Sequence, residues 1–346
     1  MLAAVLAGLF ALINPAPAAA HIAGGGGSPS NYRTVVTAIR PAIPTLEVTV
    51  GIGGQWVRVT NQGAAEIAVL GYRGEPFLRL SQNRVQVNEL SPTAAGTGQT
   101  RSTPAPGDPA TEPRWVQLRE GDSATWTDAR IDAPPQDEAQ RQSERASGSW
   151  ELPLIVDGQR VTVLGTRDQI PPPSPWAWVA VLVLVSAAVA AIGWMRNWHR
   201  PMAAVVAAGV LAFVLHLIGT GFAPQQTGPV FGWIGVGAVG AFSLIVGGVT
   251  VISTLRRTEA AAARVITAGT LLVLLAATDI SVLWYSQLPF AGPAVLDRGL
   301  TVLTYATALG LLLAGVRLVR ERKSDTTESL DTTESSDTTG SGRASG

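Results

Sequence analysis

The chain has 346 residues, with 25 Lys and Arg balanced by 25 Asp and Glu, so its formal net charge is zero. Apolar residues make up 47% and charged residues 14%, and the mean hydropathy of +0.25 points to membrane spans rather than a soluble globule. A neutral chain offers no basic surface to nucleic acid, and the absence of cysteine excludes disulfides, thiolate metal sites and cysteine nucleophiles.

Residues 2–13 form an apolar run broken by Asn14 and Pro15 and followed by Ala16-Pro17-Ala18-Ala19-Ala20. An apolar core of that length before small residues reads as a signal peptide over 1–20, not a spanning helix. Cleavage after Ala20 would make His21 the mature N-terminus. Its α-amine and imidazole could then chelate one metal, a donor pair that suits Cu(II). The alternative is that His21 only begins the flexible Gly-rich leader, 21–29.

From 30 to 172 short runs of β-branched and aromatic residues recur between turn signals. They are Val35–Ile39, Leu46–Ile52, Trp56–Thr60, Ile67–Gly71, Phe77–Leu80, Arg84–Val87, Trp115–Leu118, Ala124–Trp126, Trp150–Val156 and Arg160–Leu164. Their period-2 alternation is the mark of strands. Asp157-Gly158 between two runs predicts a tight hairpin turn. Ten short strands predict an all-β, immunoglobulin-like sandwich. Residues 91–113 and 132–148 are rich in loop-forming and polar residues and read as long solvated loops. The proline-rich linker from Ile170 to Pro175 is short and extended.

The second half, 173–319, reads as an α-helical transmembrane bundle of five helices: 176–194, 202–223, 230–254, 265–285 and 299–318. Each approaches the ~20 residues needed to cross a ~30 Å hydrocarbon core. Arg196, His199 and Arg200 follow the first span, and Arg256, Arg257 and Arg264 follow the third. Arg317, Arg320, Arg322 and Lys323 close the fifth. The alternate loops carry only Asp297 and Arg298, so the positive-inside rule turns the basic loops to the cytoplasm and the β domain outward. Trp176, Trp178, Trp194 and Trp198 fit interfacial belts. Gly232, Gly235, Gly237, Gly240, Ala241, Gly247 and Gly248 in the third span suit close helix packing or a narrow path. The tail, 320–346, repeats Asp-Thr-Thr and reads as disordered and cytoplasmic.

Two ionisable residues lie within the expected spans, His216 in the second and Asp279 in the fourth. Each is 14 residues from the start of its span. At about 1.5 Å per residue they share one height, with Tyr305 of the fifth span near it. A buried His–Asp pair could relay a proton, help bind a cation or simply fix helix register.

Three stretches carry a family resemblance: Ser30-Asn31-Tyr32-Arg33-Thr34, the run from Val69 to Arg79 containing Gly71-Tyr72-Arg73-Gly74-Glu75-Pro76, and Ser91-Pro92-Thr93-Ala94. They resemble a group of uncharacterised actinobacterial membrane proteins with a signal peptide, a β domain and a helix bundle. The resemblance implies Gly71 and Gly74 in a turn beside Glu75. Members of the group often carry Trp-His-Asp-His-Arg where this chain has Trp126-Thr127-Asp128-Ala129-Arg130, so both histidines are replaced. The architecture is also similar to that of bacterial envelope copper-binding proteins.

The leading expectation is a non-enzymatic envelope membrane protein whose exported domain binds a ligand or another envelope protein, as an accessory in metal (copper) handling. His21 would be the principal ligand, with Asp128 and Asp132 as further candidates. The second is a small transporter or channel subunit using His216 and Asp279. The third is an interaction protein anchored in the lipid bilayer. An enzyme has least support: Gly-x-Ser-x-Gly, His-Glu-x-x-His and phosphate-loop motifs are all missing.

Overall fold

The computed structural model describes residues 27–99, 112–132, 148–224, 229–277 and 279–340. The expected signal peptide, His21 and most of the Gly-rich leader lie outside the described residues, as do much of the two expected loops and Thr278.

The N-terminal part is built of ten strands. They are β1 (Tyr32–Arg40), β2 (Leu46–Val50), β3 (Val57–Asn61), β4 (Ile67–Leu70), β5 (Pro76–Ser81), β6 (Arg84–Asn88), β7 (Trp115–Glu120), β8 (Ser123–Trp126), β9 (Gly148–Val156) and β10 (Gln159–Gln169). Each of the ten predicted runs falls on one of them. The β9–β10 hairpin turns at Asp157 and Gly158, both at positive φ (46° and 80°), and Asp157 Oδ1 accepts the Glu66 amide at 2.8 Å. Both central residues of such a two-residue turn must enter the left-handed region.

The strands form two sheets, one of seven in the order β1-β10-β9-β4-β5-β6-β7 and one of three, β2-β3-β8. Inward residues of both sheets, Val57, Val59 and Trp126 from the small one and Val69, Phe77, Leu152, Leu154 and Val163 from the large one, share a single core. This partition departs from the expected immunoglobulin-like one, whose constant form divides four against three. The reason is that β1, β9 and β10 extend the large sheet on one side while β6 and β7 extend it on the other. The segment expected to begin a loop at 91 instead forms a short helix, α1 (Pro92–Gly96), with Ser91 as its cap and Pro92 in its first turn.

Six α-helices, not five, occur among the described residues; α1 is the sixth. The other five make the C-terminal part: α2 (Trp176–Ile192), α3 (His199–Phe222), α4 (Pro229–Leu255), α5 (Ala261–Ala276) and α6 (Ala294–Gly340). Three apolar stretches, His199–Phe222, Trp233–Leu255 and Ala294–Glu321, are long enough to cross a membrane, while α2 and α5 are shorter apolar helices. This is a membrane protein by length and composition of its helices. Met202, Val206, Phe213, Leu272, Ala308 and Leu311 knit α3, α5 and α6 together. Helix α4 stands at the periphery, with Ile234, Phe242, Leu244 and Ile245 exposed, as lipid-facing residues should be.

Small residues set the helix spacing. A Cβ on Gly209 would lie 2.5 Å from Thr307 Cγ2, one on Gly310 2.5 Å from Val189 Cβ, and one on Gly247 2.7 Å from Val210 Cγ2. Gly237 and Gly248, by contrast, face open space. Trp176 and Trp194 are exposed at opposite ends of α2, whereas Trp198 is buried in the helical core.

Two helix ends differ from expectation. The fourth span does not run to 285. Helix α5 stops at Ala276, and a single 3-10 turn, Ile280–Leu283, follows with Asp279 at its head. Asp279 and Ser281 are residues whose side chains favour helix ends over helix interiors, and Asp279 is turned sideways to another helix, as described below. Helix α6 continues to Gly340, so residues 320–340 are helical rather than disordered. Once a helix is nucleated in the apolar span, extension costs far less than starting a new one.

Candidate functional site: a histidine held between two carboxylates

His216 lies in the last two turns of α3 and is buried. Its Nε2 faces Asp279 Oδ2 at 3.3 Å and its Nδ1 faces Asp297 Oδ1 at 2.7 Å. Asp279 comes from the head of the 3-10 turn and Asp297 from the first turn of α6. All three side chains are more than nine-tenths buried. His216 and Asp279, which the sequence placed only at a similar height, thus lie in contact. Tyr305 is buried nearby, in the packing cluster of Leu182, Val282, Leu283 and Val302. The expected Asp279 position inside a span is corrected: it heads a turn, and that is what lets it reach sideways.

Asp297 and Arg298 were legible only as loop charges. Asp297 sits at the N-terminal end of α6, where the helix dipole favours a carboxylate. Its neighbour Arg298 is also buried and donates from Nε to the Val282 carbonyl at 3.0 Å and from Nη2 to the Tyr285 carbonyl at 2.5 Å. Two adjacent charges opening an otherwise apolar span were the available signal, because such groups turn inward and pair.

The segment from Asp279 to Gly292 closes over the histidine. The Phe290 ring stacks parallel to the imidazole with centroids 6.3 Å apart. Gly219, one turn beyond His216, leaves room for that ring, since a Cβ there would lie 2.0 Å from Phe290 Cε2. The Gly219 carbonyl accepts the Ala291 amide at 2.9 Å.

The same segment carries the contact between the two parts of the molecule. Ser30 and Gln287 exchange two backbone hydrogen bonds, of 3.0 and 2.8 Å. Asn31 Oδ1 accepts the Ser286 amide at 2.8 Å and Asn31 Nδ2 donates to the Trp284 carbonyl at 3.4 Å. Ser286 Oγ donates to the Pro171 carbonyl in the linker at 2.6 Å, and the Ile170 amide donates to the Asn31 carbonyl at 2.8 Å.

The β part holds its own buried carboxylates differently. Glu75 Oε1 accepts from Ser91 Oγ (2.9 Å), Thr93 Oγ1 (2.7 Å) and the Thr93 amide (3.3 Å), and Oε2 accepts from the Arg73 amide (3.0 Å). Burial alone raises this carboxyl, but the hydrogen bonds from Thr93, Ser91 and the Glu75–Arg73 backbone outweigh it and hold it below the usual range. Gly71 passes so close that a Cβ would lie 2.2 Å from Glu75 Oε1, and Gly74 takes a positive φ of 82°. The turn beside Glu75 is as the resemblance implied.

Asp128 is fully buried and fully engaged. Its Oδ1 accepts from Arg130 Nε (2.9 Å) and the Arg130 amide (3.0 Å), and its Oδ2 from Arg130 Nη2 (2.7 Å) and Trp126 Nε1 (3.0 Å). Arg130 also donates from Nη2 to the Leu70 carbonyl at 3.2 Å and lies 5.0 Å over the Tyr72 ring. A guanidinium on both oxygens leaves no place for a cation, so Asp128 is corrected from a candidate metal ligand to a structural ion pair. Asp132 is half-buried, and its carbonyl accepts from Arg167 Nη1 at 2.5 Å. Among the described residues no group of three His, Cys, Asp or Glu side chains is arranged to hold a metal ion. His21, the main copper ligand expected, lies outside them.

The chain matches no family model, no curated protein and no solved structure.

Proposed function

We propose that this chain is a non-enzymatic, multi-pass protein of the cytoplasmic membrane whose β part lies outside the cytoplasm and binds a partner in the envelope. The likeness to actinobacterial membrane proteins is part of the same reading. In it α2 and α5 also cross, giving five spans, and α6 ends in the cytoplasm. At 1.5 Å per residue the 17 residues of α2 and the 16 of α5 cover about 25 Å each. Flanking residues such as Trp194 and the 3-10 turn complete the crossing.

The observation that carries this reading is the seat of Ser30 and Asn31 on residues 284–287. A tethered domain with its own hydrogen-bonded base on the helices presents a fixed face, which suits docking more than free tethering does. Strand β7 offers such a face. It ends the seven-stranded sheet, no described strand pairs with its outer side, and Val116 and Leu118 are 40% and 39% exposed. Open strand edges are where partners add.

A photoreactive residue at Val116 in cells tests this, together with impermeant labelling of cysteines placed at Arg84 and Arg257. A discrete adduct from Val116, with Arg84 labelled from outside and Arg257 protected, supports the reading. Labelling of Arg257 alone, or no adduct from Val116 or Leu118, would remove it. The intramembrane pair His216–Asp279 favours a second reading, a transport accessory, for which unchanged transport in a folded Asp279→Asn variant would be decisive against.

A further inference from the structure

We propose that Asp279, His216 and Asp297 form one proton-binding site whose loaded state holds the seat of the β part in place. The proposal extends the function above. It rests on the seat between the two parts, not on the identity of any partner.

Hydrogen-bond chemistry carries the first step. Both imidazole nitrogens face carboxylate oxygens, at 3.3 and 2.7 Å. An ionised carboxylate only accepts, so each contact needs a proton between nitrogen and oxygen. A neutral imidazole supplies one. The second is an extra proton, carried either as imidazolium or on one of the two carboxyls. Three groups therefore share one proton more than neutral histidine and two carboxylates possess.

The surroundings supply little else to balance it. Helices α2 and α4 contain no ionisable residue, nor do residues 223–228. On α5 the only one is Arg264, 12 residues from Ala276, about 18 Å along the axis. On α3 itself His199 and Arg200 lie at the opposite end. From α6 come Arg298 and Tyr305, and from the closing segment Tyr285. Arg298 is committed to the Val282 and Tyr285 carbonyls. With His216 protonated, two carboxylates meet two cations and the buried set is neutral.

The site and the neighbouring Arg298 grip one short stretch of chain at its start and its middle. Asp279 opens the 279–287 stretch, and its carboxylate is drawn to His216. Arg298, beside Asp297 on α6, ties down the Val282 and Tyr285 carbonyls. Residues 284–287 between and beyond these grips hold Ser30 and Asn31. Release of the proton leaves one nitrogen's lone pair facing a carboxylate. The longer contact, Nε2 to Asp279, is the one that parts: the proton goes to solvent, the N–H toward Asp297 stays, and Asp279 is repelled. The grip on the start of the stretch weakens, and the seat loosens.

Two measurements on the full chain in nanodiscs test this. The chain has three histidines, so 15N-histidine NMR, assigned with His216→Gln, reads the imidazole directly, and infrared difference spectra read any protonated carboxyl. An imidazolium at His216, or a protonated carboxyl lost in Asp279→Asn or Asp297→Asn, is expected at neutral pH. A neutral imidazole with both carboxylates ionised would overturn the proposal. The chain has no cysteine, so spin labels at Arg84 and Val295 report the seat cleanly. A narrow distance distribution is expected in the wild type. It should broaden at the pH where the proton leaves, and at neutral pH in His216→Gln, with Asp279→Asn as the milder variant if that one does not fold. A distribution unchanged in a folded variant and across the titration would sink the coupling.

Discussion

The two parts of this molecule bury carboxylates in opposite ways. In the β part, Glu75 is held by two hydroxyls and two backbone amides, and Asp128 by an arginine and an indole. None of those donors changes state near neutral pH. In the helical part, Asp279 and Asp297 are held by a histidine, a group that can. Fixed donors make a carboxylate a fastening; a titratable donor makes it adjustable. The fastenings lie within the β part, and the adjustable set lies where the two parts join.

Breaking the firmest fastening should give the largest effect. Asp128→Ala leaves the half-buried Arg130 guanidinium and the Trp126 indole without their acceptor, and unpairing a buried ion pair costs about 3 kcal/mol or more. Chemical denaturation of the full chain, followed by tryptophan fluorescence, should show the β transition shifted by about that amount. Survival of full stability would mean the pair is ornamental.

Glu75→Gln sharpens the contrast. The amide brings a donor toward the Arg73 amide and loses the charge on the hydroxyls, a loss of about 2 kcal/mol. The folded carboxyl is held low, so its stabilisation is present above the unfolded value and disappears as pH falls through the folded one. The wild type should therefore lose β-part stability on acidification more steeply than Glu75→Gln, and equal slopes in the two proteins would refute the assignment. Gly71→Ala, which forces a methyl against Glu75 Oε1 and Thr93 Oγ1, should cost about 1–3 kcal/mol and, by parting the hydrogen bonds that hold the carboxyl low, make the acid slope shallower.

The smallest effect falls on the junction. Ser286→Ala deletes one hydrogen bond to the Pro171 carbonyl and should cost about 1 kcal/mol. Hydrogen exchange at the Ser30 and Gln287 amides should quicken while the amides of β4 and β9 stay protected. Uniform quickening across the β part would mean that the junction is not a separate unit.

The strands were legible because alternation survives in a half-buried sheet: Val57, Val59 and Asn61 point in while Arg58 and Thr60 lie between. The sheet partition was not, because which strand neighbours which depends on long-range pairing that no local pattern records. The apolar helices were legible from composition, yet the stop of α5 at Ala276 was hidden by Ile280, Val282, Leu283 and Trp284, which keep the stretch beyond it apolar on average. His216 and Asp279 stood out as charges in hydrocarbon. Asp297 was hidden because a charge near a helix end looks like a loop charge until a partner helix is placed beside it. Asp128, named as a further candidate ligand on its residue type alone, has both of its oxygens claimed by Arg130, a pairing that no local pattern announces.

The β part is seated on the helices through Ser30 and Gln287. Cysteines at these two positions, in a chain that has no others, test it most directly, since a hydrogen-bonded antiparallel pair brings Cα atoms to about 5.5 Å, within disulfide reach. A spontaneous intramolecular disulfide is expected when the purified, folded protein is exposed to air, seen as a mobility shift that reductant reverses. Two free thiols that stay reduced in the folded, air-exposed protein would rule the seat out.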